Sequence, residues 1–297
     1  MRILLAGSSG MIGTEVQRQL HASDHTFTRL VRQSPTGPTE VRWSPESGTL
    51  EPNVLDGYDA IINLAGSSIN QIPWTASRKR DILHSRISAT RTLVHALERS
   101  EHAPAVLVNG SAVGFYGNRP GQVLDEESGQ GRGFLARVVY DWERTAHEAP
   151  ARVRVVTART GLVIGQGGAM KPLLPLARLG LLGPLGGGRQ RWPWVSLRDE
   201  AAALIHLVTT STLSGPVNLV GPVSASSRQV LADLARVVHR PYGLPFPRFA
   251  VEALLGDAGR ELILADQNVV PRRLTDDGFT FRDRTVADAM DALALNL

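Results

Sequence analysis

The stretch RILLAGSSGMIG, from Arg2 to Gly13, places three glycines at regular three-residue spacing directly after an apolar run. The run predicts a buried strand, and the stripe formed by Ile12, Val16 and Leu20 predicts a helix after it. A glycine-rich turn from a strand into a helix is typical of phosphate sites, because free backbone N–H groups and the positive helix end attract an anion. A plain tight turn would give the same triplet, so the rest of the chain has to decide.

Short apolar runs alternate with helical patterns over the first two thirds of the chain. The predicted strands are Ile3–Ala6, Phe27–Val31, Ala60–Leu64, Ala105–Val108 and Val153–Ala158. They are short and rich in Val, Ile and Leu, as parallel strands buried on both faces are. This alternation predicts an α/β fold with a Rossmann-type, doubly wound parallel sheet.

The composition changes near Leu162, where Gly, Pro and Leu begin to dominate. We predict a Rossmann-type domain over residues 1–220, with residues 162–195 as an insertion on the substrate side and not part of a sheet. Residues 221–297 are predicted to form a smaller C-terminal substrate-side lobe. The later elements are predicted as helices over Asp199–Val208, Ser226–His239, Phe249–Leu264 and Thr285–Leu297, a strand over Val217–Val220, and a linker over residues 240–247.

Each glycine of the opening triplet has its own role in the phosphate-binding hypothesis. Gly7 would permit the tight turn, Gly10 would let the backbone approach a pyrophosphate, and Gly13 would let the helix pack on the strand. Because the turn sits between a buried strand and an amphipathic helix, the context favours a dinucleotide site. The loop residues expected to contact the cofactor are Gly7, Ser8, Ser9, Gly10, Met11, Ile12 and Gly13.

The end of the second predicted strand indicates which dinucleotide is bound. NAD-binding proteins carry an acidic residue near this point, which accepts a hydrogen bond from the ribose 2′-hydroxyl. This chain has Arg32 there, 19 residues after Gly13. An arginine suits a 2′-phosphate through charge-assisted bonds, so the sequence predicts NADP(H) as the cofactor. The alternative is an ordinary solvated arginine at a strand end.

The composition narrows the class of protein. The chain of 297 residues has 42% hydrophobic and 20% charged residues and no cysteine, so disulfides and thiolate sites are excluded. We expect no membrane span, no membrane partner and no signal peptide, and therefore a cytoplasmic protein.

The net charge of +4 comes mainly from scattered arginines, which argues against nucleic acid as a partner and fits a small polar or anionic substrate. His21 and His25 lack a nearby third ligand, so no metal is expected.

Five motifs follow one another along the chain: AGSSGMIG, INLAG, GSAVGFYG, ARTGLVIG and RQRWPWVSLRDE. With them, the chain resembles the extended short-chain dehydrogenase/reductases, which have the sugar-nucleotide epimerase/dehydratase fold. The stretches WTASRKRDILHSRISATRTLVHAL, FLARVVYDWE and GGGRQRWPWV resemble an atypical branch, the YfcH-type epimerase family proteins. VVPRRLTDDGFTF resembles the small C-terminal domain of unknown function in that branch.

The resemblance implies a Rossmann-type domain that binds NADP(H), with no firmly assigned substrate. Besides the glycine loop and Arg32, it implies cofactor contacts at Leu64, Ala65, Gly66, Arg86, Ser111 and Val163, with Val163 near the nicotinamide. For Arg86 the alternative is an ordinary arginine on a helix surface. Two helices resemble those that form a dimer interface in the wider family, so both a monomer and a homodimer stay open.

The catalytic pair of the wider family is missing. That pair is Tyr-x-x-x-Lys, in which the lysine lowers the pKa of the proton-transferring tyrosine. Four residues after the tyrosines of this chain come Ile62, Pro120, Arg144 and Phe246, so no such pair exists. In the register set by Glu143, the tyrosine and lysine positions hold Leu135 and Val139. Tyr140 with Arg144 is out of that register and is predicted to be a surface pair.

Because this pair is missing, the sequence leaves two hypotheses about the chemistry of the chain. Ser111 and Tyr116 are the candidate catalytic residues, although Tyr116 also suits a packing or orienting role. One hypothesis is an NADP(H)-dependent oxidoreductase or epimerase with a non-standard proton donor. The alternative is a non-catalytic NADP(H)-binding regulator or scaffold.

Overall fold

The computed structural model describes residues 1–295. The strands are β1 Arg2–Ala6, β2 Thr26–Val31, β3 Glu40–Arg42, β4 Ala60–Asn63, β5 Val106–Ala112, β6 Val123–Leu124, β7 Arg154–Thr160, β8 Leu162–Ile164, β9 Arg191–Trp192, β10 Trp194–Ser196, β11 Gly215–Leu219, β12 Ala225–Ser226 and β13 Asn268–Val269. The α-helices are α1 Met11–His21, α2 Ala76–Arg99, α3 Phe134–Ala146, α4 Leu173–Arg178, α5 Leu197–Thr209, α6 Ser227–Val237, α7 Arg248–Ala258, α8 Arg272–Asp276 and α9 Val286–Ala294.

Seven strands form one parallel sheet in the order β11-β7-β5-β4-β1-β2-β3. The strand order reverses between β1 and β4, and open α/β sheets bind ligands beyond the carboxyl ends of the strands at such a point. The predicted Rossmann-type fold is therefore confirmed. The short edge strand β3 was not predicted, because its three residues EVR carry no apolar run.

Alternating residues of each strand supply the two faces of the sheet. Ile3 and Leu5 lie in one core with residues of α1 and α5, such as Leu20 and Leu204. Leu4 and its neighbour Ala6 lie in a second core on the opposite face, together with residues of α2. The burial of both faces explains why the strands read as continuous apolar runs instead of alternating ones.

A further core lies beside the sheet and joins the Gly-rich insertion to the C-terminal part of the chain. It contains Met170, Trp192 and Trp194 of the insertion, with Leu234 from α6 and Met290 from α9. This packing builds the smaller lobe at the carboxyl end of the sheet.

Three predicted elements differ from the structure. The insertion contains short strands, because β8 pairs with β10 and β9 with β12. The helix predicted over Phe249–Leu264 is α7, kinked at Gly256 where φ is +54°, followed by a π-helix over Gly259–Ile263. The helix predicted to reach Leu297 is α9, and residues 296–297 lie outside the described part of the chain.

Candidate cofactor and active site

The glycine loop joins β1 to α1 in the geometry that the sequence predicted. Gly7 has φ of +78°, and a Cβ there would lie 2.5 Å from the carbonyl carbon of Leu64. A Cβ on Gly13 would lie 2.4 Å from the carbonyl oxygen of Gly7. Both positions therefore require glycine for folding, whether or not a ligand binds.

Gly10 is different, because packing does not require a glycine there. Its φ is −77°, and a Cβ would meet only the carbonyl oxygen of Gly7, at 3.4 Å. Gly10 is also the N-cap of α1, which has no side-chain cap and no acidic residue in its first turn. The positive end of α1 is thus left open to an anion. This combination is what a backbone approach to a phosphate needs.

Met11 connects the glycine loop to the Gly-rich insertion. The backbone N–H of Gly167 donates to Met11 Sδ at 3.2 Å, and a Cβ on Gly165 would lie 2.8 Å from that sulfur. The insertion therefore lies beside the first turn of α1. Val163 precedes this contact on β8, where it is buried and pairs with Val195 of β10.

Arg32 directly follows β2, the neighbour of β1 in the sheet. Its side chain is exposed, and it has no carboxylate partner among the salt bridges of residues 1–295. An unpaired cation at the carboxyl edge of the strand next to the glycine loop is available to an anionic ligand.

Leu64, Ala65 and Gly66 leave β4 directly against the glycine loop. The N–H of Leu64 donates to the carbonyl of Ala6 at 2.9 Å, which holds the two strand exits together. A Cβ on Gly66 would lie 3.2 Å from Cγ of Arg86. The predicted contact residues of β1, β4 and α2 therefore meet at one place.

Arg86 is half-buried in α2 and lies across the exit of β4. Its Nη1 donates to the carbonyls of Ser67 and Ile82, both at 3.0 Å, and its guanidinium lies 5.1 Å from the ring centre of Trp142. Burial is the main cause that lowers the pKa of Arg86, to about 10, and the nearby cation of Arg78 adds to it. Among the described residues neither arginine has a carboxylate partner. This positive charge would be stabilised by an anion.

Sequence reasoning missed Arg78, which donates from Nη2 to the carbonyl of Ser68 while its buried Nε has no partner in the described structure. The sequence did contain an indication of its role. Arg78 lies eight residues before Arg86, which places both arginines on one side of α2.

Ser111 lies at the end of β5 and belongs to a buried network. Its Oγ donates to Oε1 of Glu143 at 2.6 Å. Arg159 on β7 donates to both oxygens of the same carboxylate, at 2.8 Å each. The side chains of Arg159 and Glu143 are only 4% and 9% exposed, so this is a buried, bidentate ion pair. Sequence reasoning missed Arg159, although a charged residue inside a strand buried on both faces signals a buried partner.

Tyr116 is held by the other side of the same network. Its hydroxyl donates to Oδ1 of Asn218 at 2.7 Å and accepts from Nη1 of Arg159 at 3.0 Å. The side chain is fully buried, and this burial raises the pKa of Tyr116 to about 12, although Arg159 acts in the opposite direction. The hydroxyl is therefore fixed between two protein partners.

Leu135 and Val139, the positions at which the motif register predicts the family's tyrosine and lysine, are apolar and packed into the protein. A Cβ on Gly114 would lie 3.2 Å from Cβ of Leu135, and Val139 is 3% exposed. Tyr140 points away, with 46% of its side chain exposed.

Two buried carboxylates, those of Glu126 and Asp199, hold loops in place. Oε1 of Glu126 accepts the backbone N–H of Asn218 at 3.0 Å. Asp199 accepts two backbone N–H groups, from Arg282 and Asp283, at 3.0 and 2.8 Å. These carboxylates attach the C-terminal segment to the sheet domain.

Residues 1–295 contain neither a metal-binding cluster nor a membrane-spanning helix. No group of His, Cys, Asp and Glu there has the arrangement of a metal site. In that same range, no helix combines the length and the apolar character needed to cross a bilayer.

Comparison with known proteins agrees with this geometry. The model of the NAD dependent epimerase/dehydratase family matches residues 3–236, and that of a domain of unknown function, DUF1731, matches residues 246–293. Epimerase family protein Mb2239 of Mycobacterium bovis is 40% identical over 290 residues, covering 97% of this chain and 96% of the relative. Epimerase family protein SDR39U1 of Bos taurus is 35% identical over 286 residues, covering 95% of each chain.

A solved structure, human epimerase family protein SDR39U1 (isoform 2) with NADPH, superimposes with a TM-score of 0.92 at 31% identity over 100% of both chains. The resemblance read from the motifs is thereby confirmed. The chain belongs to the NAD dependent epimerase/dehydratase family, in the atypical NAD(P)-binding branch of the extended short-chain dehydrogenase/reductases that ends in DUF1731.

Proposed function

We propose that this protein binds NADP(H) at the carboxyl edge of the sheet. The open N-terminus of α1 at Gly10 receives the pyrophosphate, and Arg32 receives the 2′-phosphate. The observation that carries the proposal is the glycine loop in which Gly10, unlike Gly7 and Gly13, has no packing reason to be glycine. The human relative solved with NADPH supports the choice of cofactor.

Leu64, Ala65, Gly66 and Arg86 complete the proposed cofactor site. Arg86 adds a cation beside the strand exits, and Ser111 and Val163 lie toward the nicotinamide end. Ser8, Ser9, Met11 and Ile12 supply further backbone of the loop and of the first turn of α1.

A nucleotide titration tests this proposal. We expect NADPH to bind at least tenfold more tightly than NADH, which is about 1.4 kcal/mol, and Arg32→Glu to abolish the preference. Arg144→Glu, at an exposed position of α3, makes the same charge change away from the site and should retain the preference. Equal affinities for the two nucleotides in the wild type would refute the role of Arg32, and no binding of either would refute the site.

For the chemistry, we propose an epimerase- or reductase-type hydride transfer in which Ser111 and Tyr116 position the site and do not exchange protons with the substrate. Both hydroxyl groups already donate to protein acceptors, Glu143 and Asn218. A phenol with a raised pKa and two fixed partners is a poor general acid or base near neutral pH. The proton donor is then neither the family's tyrosine nor Tyr116.

A specific observation favours the second candidate, a non-catalytic NADP(H)-binding protein. The apolar residues at positions 135 and 139 and the closed network around Tyr116 leave no free phenol at the site. The two candidates differ in hydride transfer. Protein loaded with NADPH deuterated at C4 is mixed with a small-molecule extract, and transfer of deuterium to a product is followed by mass spectrometry. In parallel, protein loaded with NADP⁺ is mixed with the same extract, and formation of NADPH is followed, because an epimerase first takes a hydride from its substrate. Either signal establishes the enzyme, whereas tight binding of both nucleotides with neither signal establishes the regulator or scaffold.

The remaining expectations belong to the same proposal. The substrate is a small polar or anionic molecule, since Arg78 and Arg86 supply positive charge without carboxylate partners. The location is cytoplasmic. For the oligomeric state, monomer and homodimer both stay open.

A further inference from the structure

More than half of the exposed large apolar side chains of residues 1–295 lie in two segments that contact each other. Thirteen large hydrophobic residues are exposed within residues 1–295, and seven of them lie in two short segments, residues 176–181 and 244–254. We call these seven the apolar ribbon: Leu176, Leu179, Leu181, Leu244, Phe246, Phe249 and Leu254. This concentration, not the exposure of any single leucine, needs an explanation.

Hydrogen bonds to the backbone hold the two segments side by side. The N–H of Gly243 donates to the carbonyl of Leu182 at 3.0 Å, and that of Phe246 to Pro184 at 2.9 Å. Nε of Arg240 donates to the carbonyl of Arg178 at 2.8 Å. These bonds join the end of α4 to the segment that leads into α7.

The side chains of the apolar ribbon protrude instead of lining a cleft. Phe249 is 74% exposed, Leu179 is 70% exposed and Leu254 is 68% exposed. A small ligand is normally enclosed by a concave site. Protruding Leu and Phe side chains suit insertion into an extended apolar phase or contact with another macromolecule.

The charge of the residues around the apolar ribbon favours one of these partners over the others. Residues 162–198 and 237–251 carry seven Lys and Arg residues and no acidic residue before Asp199 and Glu252. Of these cations, Lys171, Arg178, Arg189 and Arg240 are exposed, and the described structure gives them no carboxylate partner. α7 has two acidic residues, and both are paired: Glu252 pairs with Arg248 at 2.8 Å, and Asp257 pairs with Lys79 and Arg260. A second copy of the same cationic face would repel this one, whereas an anionic surface would attract it.

We propose that the apolar ribbon docks this protein on an anionic lipid membrane. The Leu and Phe side chains enter the headgroup boundary, and Lys171, Arg178 and Arg240 contact anionic headgroups. A surface contact of this kind needs neither a membrane span nor a leader, and it departs from the expectation of no membrane partner. Docking does not require the cofactor, and NADPH binding is measured in the same samples.

Vesicle co-sedimentation of the full chain tests the proposal. We expect binding to phosphatidylcholine vesicles that contain phosphatidylglycerol, little binding to pure phosphatidylcholine, and loss of binding as salt is raised. The double variant Leu179→Ser with Phe249→Ser should weaken the partition at least tenfold. Its matched control is Val123→Ser with Tyr140→Ser, two exposed apolar residues outside the ribbon, which should bind as the wild type does.

A second pair of variants tests the charge. Arg178→Gln with Arg240→Gln should weaken binding about fivefold for each cation removed. Arg137→Gln with Arg144→Gln, on the exposed side of α3, should leave it unchanged. Unaltered NADPH affinity and Tm in all variants show that the fold is retained.

Three results would overturn the proposal. One is the absence of binding to anionic vesicles by folded wild-type protein. Another is concentration-dependent self-association that Leu179→Ser with Phe249→Ser abolishes, without vesicle binding, because the ribbon would then be an interface between copies. The third is vesicle binding that is lost in the α3 charge variant and kept in the ribbon variants.

Discussion

The buried ion pair between Arg159 and Glu143 gives a quantitative test of how the site is held together. The two contacts at 2.8 Å join side chains that are 4% and 9% exposed, so water cannot replace a missing partner. Arg159→Met keeps most of the volume but leaves Glu143 buried with only the Ser111 hydroxyl. Breaking such a pair costs about 3–5 kcal/mol, which lowers Tm by about 5–8 °C in a chain of this size.

A double-mutant cycle measured by urea denaturation checks this value. Glu143→Met alone should cost a similar amount, because Arg159 then loses its carboxylate. Glu143→Met combined with Arg159→Met should cost less than the sum of the single changes, since no buried charge is left unpaired. Asp233→Asn, which breaks an exposed pair with Arg236, should cost less than about 1 kcal/mol. Additive single effects, or costs as small as that of the exposed pair, would refute the reasoning.

Three further changes separate folding from binding. Gly10→Ala should lower the urea midpoint only slightly, since alanine is a poorer N-cap than glycine, and should weaken NADPH binding at least tenfold. Gly13→Ala should lower the midpoint much more, because its Cβ would lie 2.4 Å from the Gly7 carbonyl oxygen. Equal midpoints in both variants would contradict this. The carboxyl of Glu200 is fully buried, and burial raises its pKa from 4.5 to about 8. The native state therefore holds a proton that the unfolded chain has lost, so the free energy of unfolding should fall between about pH 4.5 and pH 8, by up to about 1.4 kcal/mol per pH unit. Glu200→Gln should flatten that pH dependence in urea titrations, and an unchanged slope would count against it. Glu261 accepts the first two N–H groups of α3 at 2.8 Å, so Glu261→Ala should cost about 1–2 kcal/mol in the same assay, and Glu261→Gln less.

The sheet could be predicted from the sequence because both of its faces are buried. Ile3, Leu4 and Leu5 contribute to cores on opposite faces, which makes the strand a continuous apolar run. The predicted strands all exist, and their limits differ from the structure by a few residues. Short elements such as β3 and β8 could not be predicted, because partners distant in the chain decide whether such short segments pair.

The part of the candidate site that depends on local backbone geometry could be predicted from the sequence. Gly7 and Gly13 are required by close contacts that their spacing already implied. The hydrogen-bond partners of Ser111 and Tyr116 could not be predicted from local sequence. Glu143 lies 32 residues from Ser111, and Asn218 lies 102 residues from Tyr116, so only the folded chain brings them together.

Leu135 and Val139, where the motif register predicts the family's tyrosine and lysine, are held by packing that would not accept such a pair. Leu135 packs against Gly114, and Val139 lies in the core that contains Phe115 and Tyr116. A lysine at position 139 would bury a charge among apolar residues, which is costly without a partner.

The chain nevertheless places a phenol beside a cation, 3.0 Å apart, through Tyr116 and Arg159 on neighbouring parts of the sheet edge. In the family's active pair the cation lowers the pKa of the tyrosine. Here burial outweighs the cation, and the pKa is raised to about 12. Glu143 pairs with the arginine, and Asn218 accepts the phenolic proton. The phenol and the cation are thus both held by protein partners, and the hydride transfer proposed for this site would have to take its proton from another source.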